Sequence, residues 1–113
     1  MVKHLSTESN PGSQALLPIN TFRGRRIKLS PDVLFQLLRD ESVLLDLNNE
    51  QYIGLDPVAT RIWQLLTENG DVEDVVKKML QEYDVDEARL YKDLASFIAD
   101  LSSQGLVEVE PEP

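Results

Sequence analysis

Few side chains in this chain are equipped for covalent chemistry. Its 113 residues include no cysteine, which excludes a thiol nucleophile, a thiolate metal site and a disulfide framework. The single histidine, His4, stands in a polar leading stretch with no acid partner nearby and reads as linker. Carboxylates are plentiful, but Asp71, Asp74, Asp84 and Asp86 fall at the ends of expected helices, where capping and the helix dipole account for them. Asp84-Val85-Asp86-Glu87 does not continue into the spaced ligands of a calcium loop, and no glycine-rich phosphate loop or nucleophile elbow is present. Trp63 lies on an amphipathic segment and reads as core. The residues therefore predict no catalytic site, no metal and no cofactor, and the chain reads as something other than an enzyme.

Charge narrows the partners. Residues 1–30 carry Lys3, Arg23, Arg25, Arg26 and Lys28 against Glu8 alone, a surplus of four positive charges. With −9 over the whole chain, residues 31–113 hold −13, from six basic and nineteen acidic side chains. Such a body repels a phosphate backbone, so no nucleic acid is expected. The Arg23–Lys28 cluster reads either as a site for an acidic partner or as a solvated linker. No apolar run approaches a membrane span and no signal segment is evident, so the expectation is a cytoplasmic protein without a membrane partner.

The elements that would position a binding site follow from periodicity. Residues 1–14 are polar and lack a hydrophobic period, which predicts a lead without fixed structure. Ala15-Leu16-Leu17-Pro18-Ile19 is an apolar island that could dock on the body, dock on a second copy or stay mobile. Ile27 to Leu29 suits a short extended piece. Val33 to Leu38 reads as a strand, with Val33, Phe35 and Leu37 on one face and Leu34, Gln36 and Leu38 on the other. Val43 to Leu47 alternates as a strand with one buried face, Asn48-Asn49-Glu50 supplies turn chemistry, and Gln51 to Leu55 is the return strand. Connections this short demand an antiparallel meander, whose third strand is the expected edge.

Three helices should follow. Asp56-Pro57 marks the first start, and that helix runs to about Glu68 and stops at Asn69-Gly70, a candidate C-cap. The second starts at Asp71, with Asp74 three positions on as a capping-box variant, and buries Val72, Val75, Val76, Met79, Leu80 and Tyr83. The third runs from Asp86 to Gln104 and ends at Gly105, with Leu90, Leu94, Phe97, Ile98 and Leu101 on one stripe. Val107 and Val109 suit a short strand or an extended tail. The expected fold class is α+β, winged-helix-like, with a three-stranded antiparallel sheet followed by three helices. The expected division is an N-terminal extension at 1–26, one domain at 27–110 and a tail at 111–113.

Three stretches together carry a family resemblance. They are V-L-L-D-L-x-x-x-Q-Y-I-G-L-D-x-x-A-x-R-I-W-x-L-L from Val43, then Glu82-Tyr83-Asp84-Val85-Asp86, then D-L-x-x-F-I-x-x-L-x-x-x-G-L-V from Asp93. The pattern resembles the PqqD-like family, leader-peptide recognition elements of ribosomally made, modified peptides, over about residues 27–107. The hairpin reads Leu45-Asp46-Leu47-Asn48-Asn49, where the pyrroloquinoline quinone protein usually has Pro-Glu and Asn. Asp46 and Tyr52-Ile53-Gly54-Leu55 are similar to the stand-alone leader-binding proteins of lasso-peptide clusters.

The resemblance implies a non-catalytic protein that takes the leader of a precursor peptide as an added strand and presents it to a leader protease or other maturation enzyme, acting as a monomer or weak dimer. An alternative is a chaperone that delivers a precursor to a radical SAM enzyme. A winged-helix DNA binder shares the outline, but the third helix sets Arg89 and Lys92 against Glu87, Asp93 and Asp100. The positions matching the family's peptide site are Gln51, Tyr52, Ile53, Gly54 and Leu55 on the edge, with Leu90, Asp93, Leu94, Phe97 and Leu101 on the helix. Gly54 is either a point of close backbone approach or a bulge. Leu94 and Leu101 are either groove or core, and the stripe is expected to exceed what the second helix covers. Asp93 either receives a leader Lys or Arg or pairs with Arg89 one turn earlier.

Overall fold

Each helix starts where an aspartate accepts from an amide that the helix leaves free. Asp56 takes the Ala59 N–H at 2.8 Å, Asp71 the Glu73 N–H at 2.9 Å and Asp86 the Arg89 N–H at 3.1 Å. The computed structural model describes residues 24–110, so His4, the island at 15–19, Arg23 and the tail at 111–113 lie outside the described part. Along it run β1 (Ile27–Leu29), β2 (Val33–Leu38), β3 (Glu41–Asp46), β4 (Gln51–Leu55), α1 (Pro57–Glu68), α2 (Val72–Glu82), α3 (Glu87–Ser103) and β5 (Val107–Val109). This is the α+β arrangement expected, a three-stranded antiparallel sheet followed by three helices, with a small second sheet added.

That second sheet closes the domain's ends on each other. β1 pairs antiparallel with β5, Ile27 opposite Val109 and Leu29 opposite Val107. Arg25 and Arg26 belong to this clasp: the Arg25 guanidinium donates twice to the Glu110 carbonyl, at 2.9 and 3.0 Å, and Arg26 reaches the Asn69 side chain at 3.3 Å. Two members of the basic cluster are thereby committed to the fold rather than to a free linker.

Two helix ends show how close the sequence comes. After α3, Gly105 takes φ +77 and the Leu106 N–H returns to the Leu101 carbonyl at 2.9 Å while the Gly105 N–H meets Ser102 at 3.0 Å, a Schellman end. After α1 the expected glycine cap is absent: Asn69 ends the helix in extended geometry. Gly70 serves close approach instead, because a Cβ there would strike the Ile27 carbonyl, which lies beside the Ile27 N–H to Gly70 C=O bond of 2.8 Å. The capping box at Asp71 is also replaced. The Asn69 side chain accepts the Asp71 N–H at 3.1 Å and donates to Asp74 at 2.6 Å, so Asp74 never reaches back.

The larger sheet has the order β2-β3-β4 with unbroken register. Phe35, Leu44 and Ile53 lie side by side on one face, and Leu34, Leu45 and Tyr52 on the other. α1 packs on the first face. The buried side of β3 is Ser42, Leu44 and Asp46, two of them polar, while Leu47 is exposed. Each polar group has a reason to be inside. The Ser42 hydroxyl bonds the Thr60 hydroxyl at 2.8 Å, and Thr60 donates to the Leu55 carbonyl at 3.3 Å, tying β3 and β4 to α1. Asp46 holds the next turn. The core runs from Leu44, Ile53 and Leu55 through α1 and α2 to Leu90, Leu94, Phe97, Ile98 and Leu101 of α3.

Candidate functional site: an open sheet edge and a helix cleft

β4 has β3 on one side and, among the described residues, no strand on the other. Its outward N–H and C=O groups therefore stand at the regular spacing that an extended peptide can pair with. Ile53 and Leu55 are buried and Gly54 half-buried, whereas Gln51 is exposed and Tyr52 is 76% exposed. The strand is thus anchored by its inner side chains and open along its backbone. The register passes Gly54 without a break, opposite Val43, so the bulge reading falls away and the half-buried, side-chain-free position remains.

The hairpin turn fixes the start of this strand. Asp46 accepts the Asn48 N–H at 3.0 Å, the Asn49 N–H at 3.4 Å and the Asn49 side-chain amide at 2.8 Å. The Asn49 side-chain bond, aided by the two backbone donors, lowers the Asp46 pKa below the ordinary aspartate value against the opposing effect of burial. Glu50 rather than either asparagine takes the left-handed conformation, φ 53, while the Asn48 and Asn49 side chains donate to Asp32 and Asp46.

On α3 the structure divides the expected residues. Leu90, Leu94, Phe97 and Leu101 are all buried to 2% exposure or less. The stripe is covered, contrary to the expectation that it exceeds its neighbours' reach, because Ile53 and Leu55 from the sheet and the α1 side chains pack into the same core as α2. Leu90 and Asp93 come together elsewhere, in a cleft of about 360 Å³ at the start of α3 that Asp84, Val85, Asp86 and Arg89 complete. Asp93 keeps 28% of its side chain exposed and lies 3.9 Å from the 77%-exposed Arg89 guanidinium, a loose pair that leaves the carboxylate available to a closer cation. Sequence reasoning missed Val85, an exposed apolar residue in the α2–α3 turn, and set Asp84 aside as a helix-end charge. The signal was the Val between two aspartates, an apolar side chain where a solvated turn needs none.

The described residues hold no cluster of three or more histidine, cysteine or carboxylate groups able to hold a metal ion, and no helix among them is long and apolar enough to cross a membrane. The arrangement is one for binding an extended chain: a backbone edge, and a separate apolar cleft rimmed by carboxylates.

Two solved proteins with this fold are in complex with leader peptides. TbiB1, solved in complex with the TbiA(beta) leader peptide, superposes with a TM-score of 0.70 at 38% identity, over 75% of this chain and 99% of that one. A lasso peptide synthetase B1 complexed with its leader peptide gives 0.66 at 25% identity, over 74% and 98%. The search among curated proteins found no match. The family description that fits is coenzyme PQQ synthesis protein D, matched at residues 41–107, from the first residue of β3 to the first of β5. The chain belongs to the PqqD family.

Proposed function

We propose that this protein captures the leader of a ribosomally made precursor peptide as a fourth strand on β4 and presents it to the maturation enzymes of a lasso-peptide pathway. The observation that carries the reading is the open β4 edge, which lies inside the family's matched span and in a fold shared with two leader complexes. Strand addition supplies affinity through main-chain bonds, and alternate side chains supply specificity. A peptide along β4 meets Gln51 to Leu55 first. In this reading its further residues extend to the cleft, where the exposed Val85 offers apolar contact and Asp93 offers a partner for a leader Lys or Arg. Leu94, Phe97 and Leu101 support the site from the core rather than by touch. The recognition unit of this reading spans 27–110 and takes Arg25 and Arg26 with it.

Binding is the whole of the activity proposed. Calorimetry with synthetic leader and core peptides tests it: leader should bind and core should not, and equal affinity for both, or none for either, would sink the reading. The partner enzyme of this reading is a leader protease or cyclase. Delivery of a precursor to a radical SAM enzyme is the second reading, favoured by the family's description. Co-purification of the loaded protein with each enzyme class separates the two. DNA binding has little support, since α3 carries Arg89 and Lys92 against Glu87, Asp93 and Asp100, and a salt-dependent gel shift checks it.

A further inference from the structure

The opposite edge of the sheet is built for a different contact. Every residue of β2 from Leu34 to Leu38 is exposed, with Leu34 and Leu38 at 54%, Leu37 at 44% and Phe35 at 36%. The strand Val-Leu-Phe-Gln-Leu-Leu holds no charge and no proline, the usual guards of an exposed edge, although the chain as a whole carries −9. We infer that β2 pairs antiparallel with β2 of a second copy, joining two domains into one six-stranded sheet with a β4 edge free at each end.

The strand is self-complementary in one register. Turning a second copy by 180° about an axis normal to the sheet and just outside β2, level with Gln36, sets Leu34 opposite Leu38 of that copy on the outer face. On the inner face the same turn sets Phe35 opposite Leu37, and Gln36 meets Gln36 on the axis. Paired residues share a face, so the apolar side chains from Leu34 to Leu38 meet one another and the two amides can bond each other. At the strand's end Arg39 of each copy comes opposite Val33 of the other, one step from the facing Asp32 and Asp40, whose like charges it offsets. The island at 15–19 is a poorer occupant, since Pro18 lacks the amide that a strand there would need.

Six residues of strand edge cover less than the roughly 800 Å² per partner of a stable complex, so the dimer is weak and concentration-dependent. Sedimentation velocity of the full chain from about 1 to about 500 μM should show the mass rising from 12.8 kDa toward twice that value. Gln36→Lys and Gln36→Glu each place like charges on the axis and should hold the protein monomeric, while an equimolar mixture of the two should dimerise again. Both variants should keep native circular dichroism and bind leader as the unsubstituted protein does. A protein monomeric throughout the range, variants that still dimerise, or a mixture that stays monomeric would each overturn the inference. Loss of leader binding in either folded variant would overturn it too, by giving β2 to the peptide.

Discussion

The two edges of one small sheet differ more than their distance of three strands suggests. β4 buries Ile53 and Leu55 under α1 and exposes little but its backbone, with Tyr52 turned outward. β2 reverses this: only Val33 is partly covered, and its side chains stand bare on both faces. α1 lies over β3 and β4 and stops short of β2. An edge held by core packing presents its main-chain groups in fixed positions, so a peptide that pairs with it bears little of the ordering cost. An edge held only through its neighbouring strand offers apolar area instead, and suits a partner that brings the same. The family match begins at Glu41, after β2, and takes in β3 and β4.

The contrast is tested most strongly by stability. Ile53→Ala removes methyl groups from a site that is 8% exposed and should cost about 2–4 kcal/mol in urea unfolding. Leu34→Ala, at 54% exposure, should cost under about 1 kcal/mol at low protein concentration. Equal losses would mean that β2 is as firmly held as β4. Next in size is the effect of N-methylating single residues of a synthetic leader. Strand addition predicts a period of two: methyl groups facing β4 each remove a main-chain bond worth about 0.5–1.5 kcal/mol, roughly two- to tenfold in Kd, and those facing away do little. A uniform response along the peptide would exclude pairing by strand addition, and Gln36→Pro, which should leave binding intact, checks that the edge is not β2.

Much of this was legible in the chain. Asp56-Pro57, Asp71, Asp86 and Gly105 mark the helix limits because capping is local chemistry, and the hairpin around Asn48-Asn49 is local too. What failed was coverage. Whether Leu94, Phe97 and Leu101 lie in a groove depends on how many elements meet α3, and the sheet's contribution from Ile53 and Leu55 is invisible to helical periodicity. The same blindness hid the bare faces of β2, although Val-Leu-Phe-Gln-Leu-Leu is apolar on both sides and a sheet with helices on one face cannot cover both. The β1–β5 pairing joins residues some eighty apart, for which no spacing rule exists.

A smaller effect separates the edge from the cleft. If a leader crosses from β4 to the start of α3, Asp93→Ala should weaken a leader bearing Lys or Arg by roughly three- to tenfold, about the net worth of one exposed charge-assisted bond. The melting temperature should hardly move, because the Arg89 contact it breaks is a long one between exposed groups. Unchanged affinity would confine recognition to the edge.

The finest test concerns the turn that delivers β4. The Asp46 carboxylate accepts three bonds from Asn48 and Asn49, and its folded pKa is lowered from the ordinary 3.8, the Asn49 side chain contributing most. The unfolded chain therefore binds the proton more tightly than the folded one. The stabilisation is complete above 3.8 and disappears as the pH falls through the lower, folded value. Asp46→Asn keeps the shape but sets its amide nitrogen against that of Asn49 and cannot titrate. The variant should be less stable at neutral pH, and the gap in melting temperature should narrow as the pH drops from about 5 to about 2. Glu82, whose pKa the Arg61 pair also lowers, titrates in both proteins and cancels from the difference. A gap that stays constant across that range would mean that the Asp46 charge contributes nothing and that its oxygens act only as neutral acceptors in placing the strand.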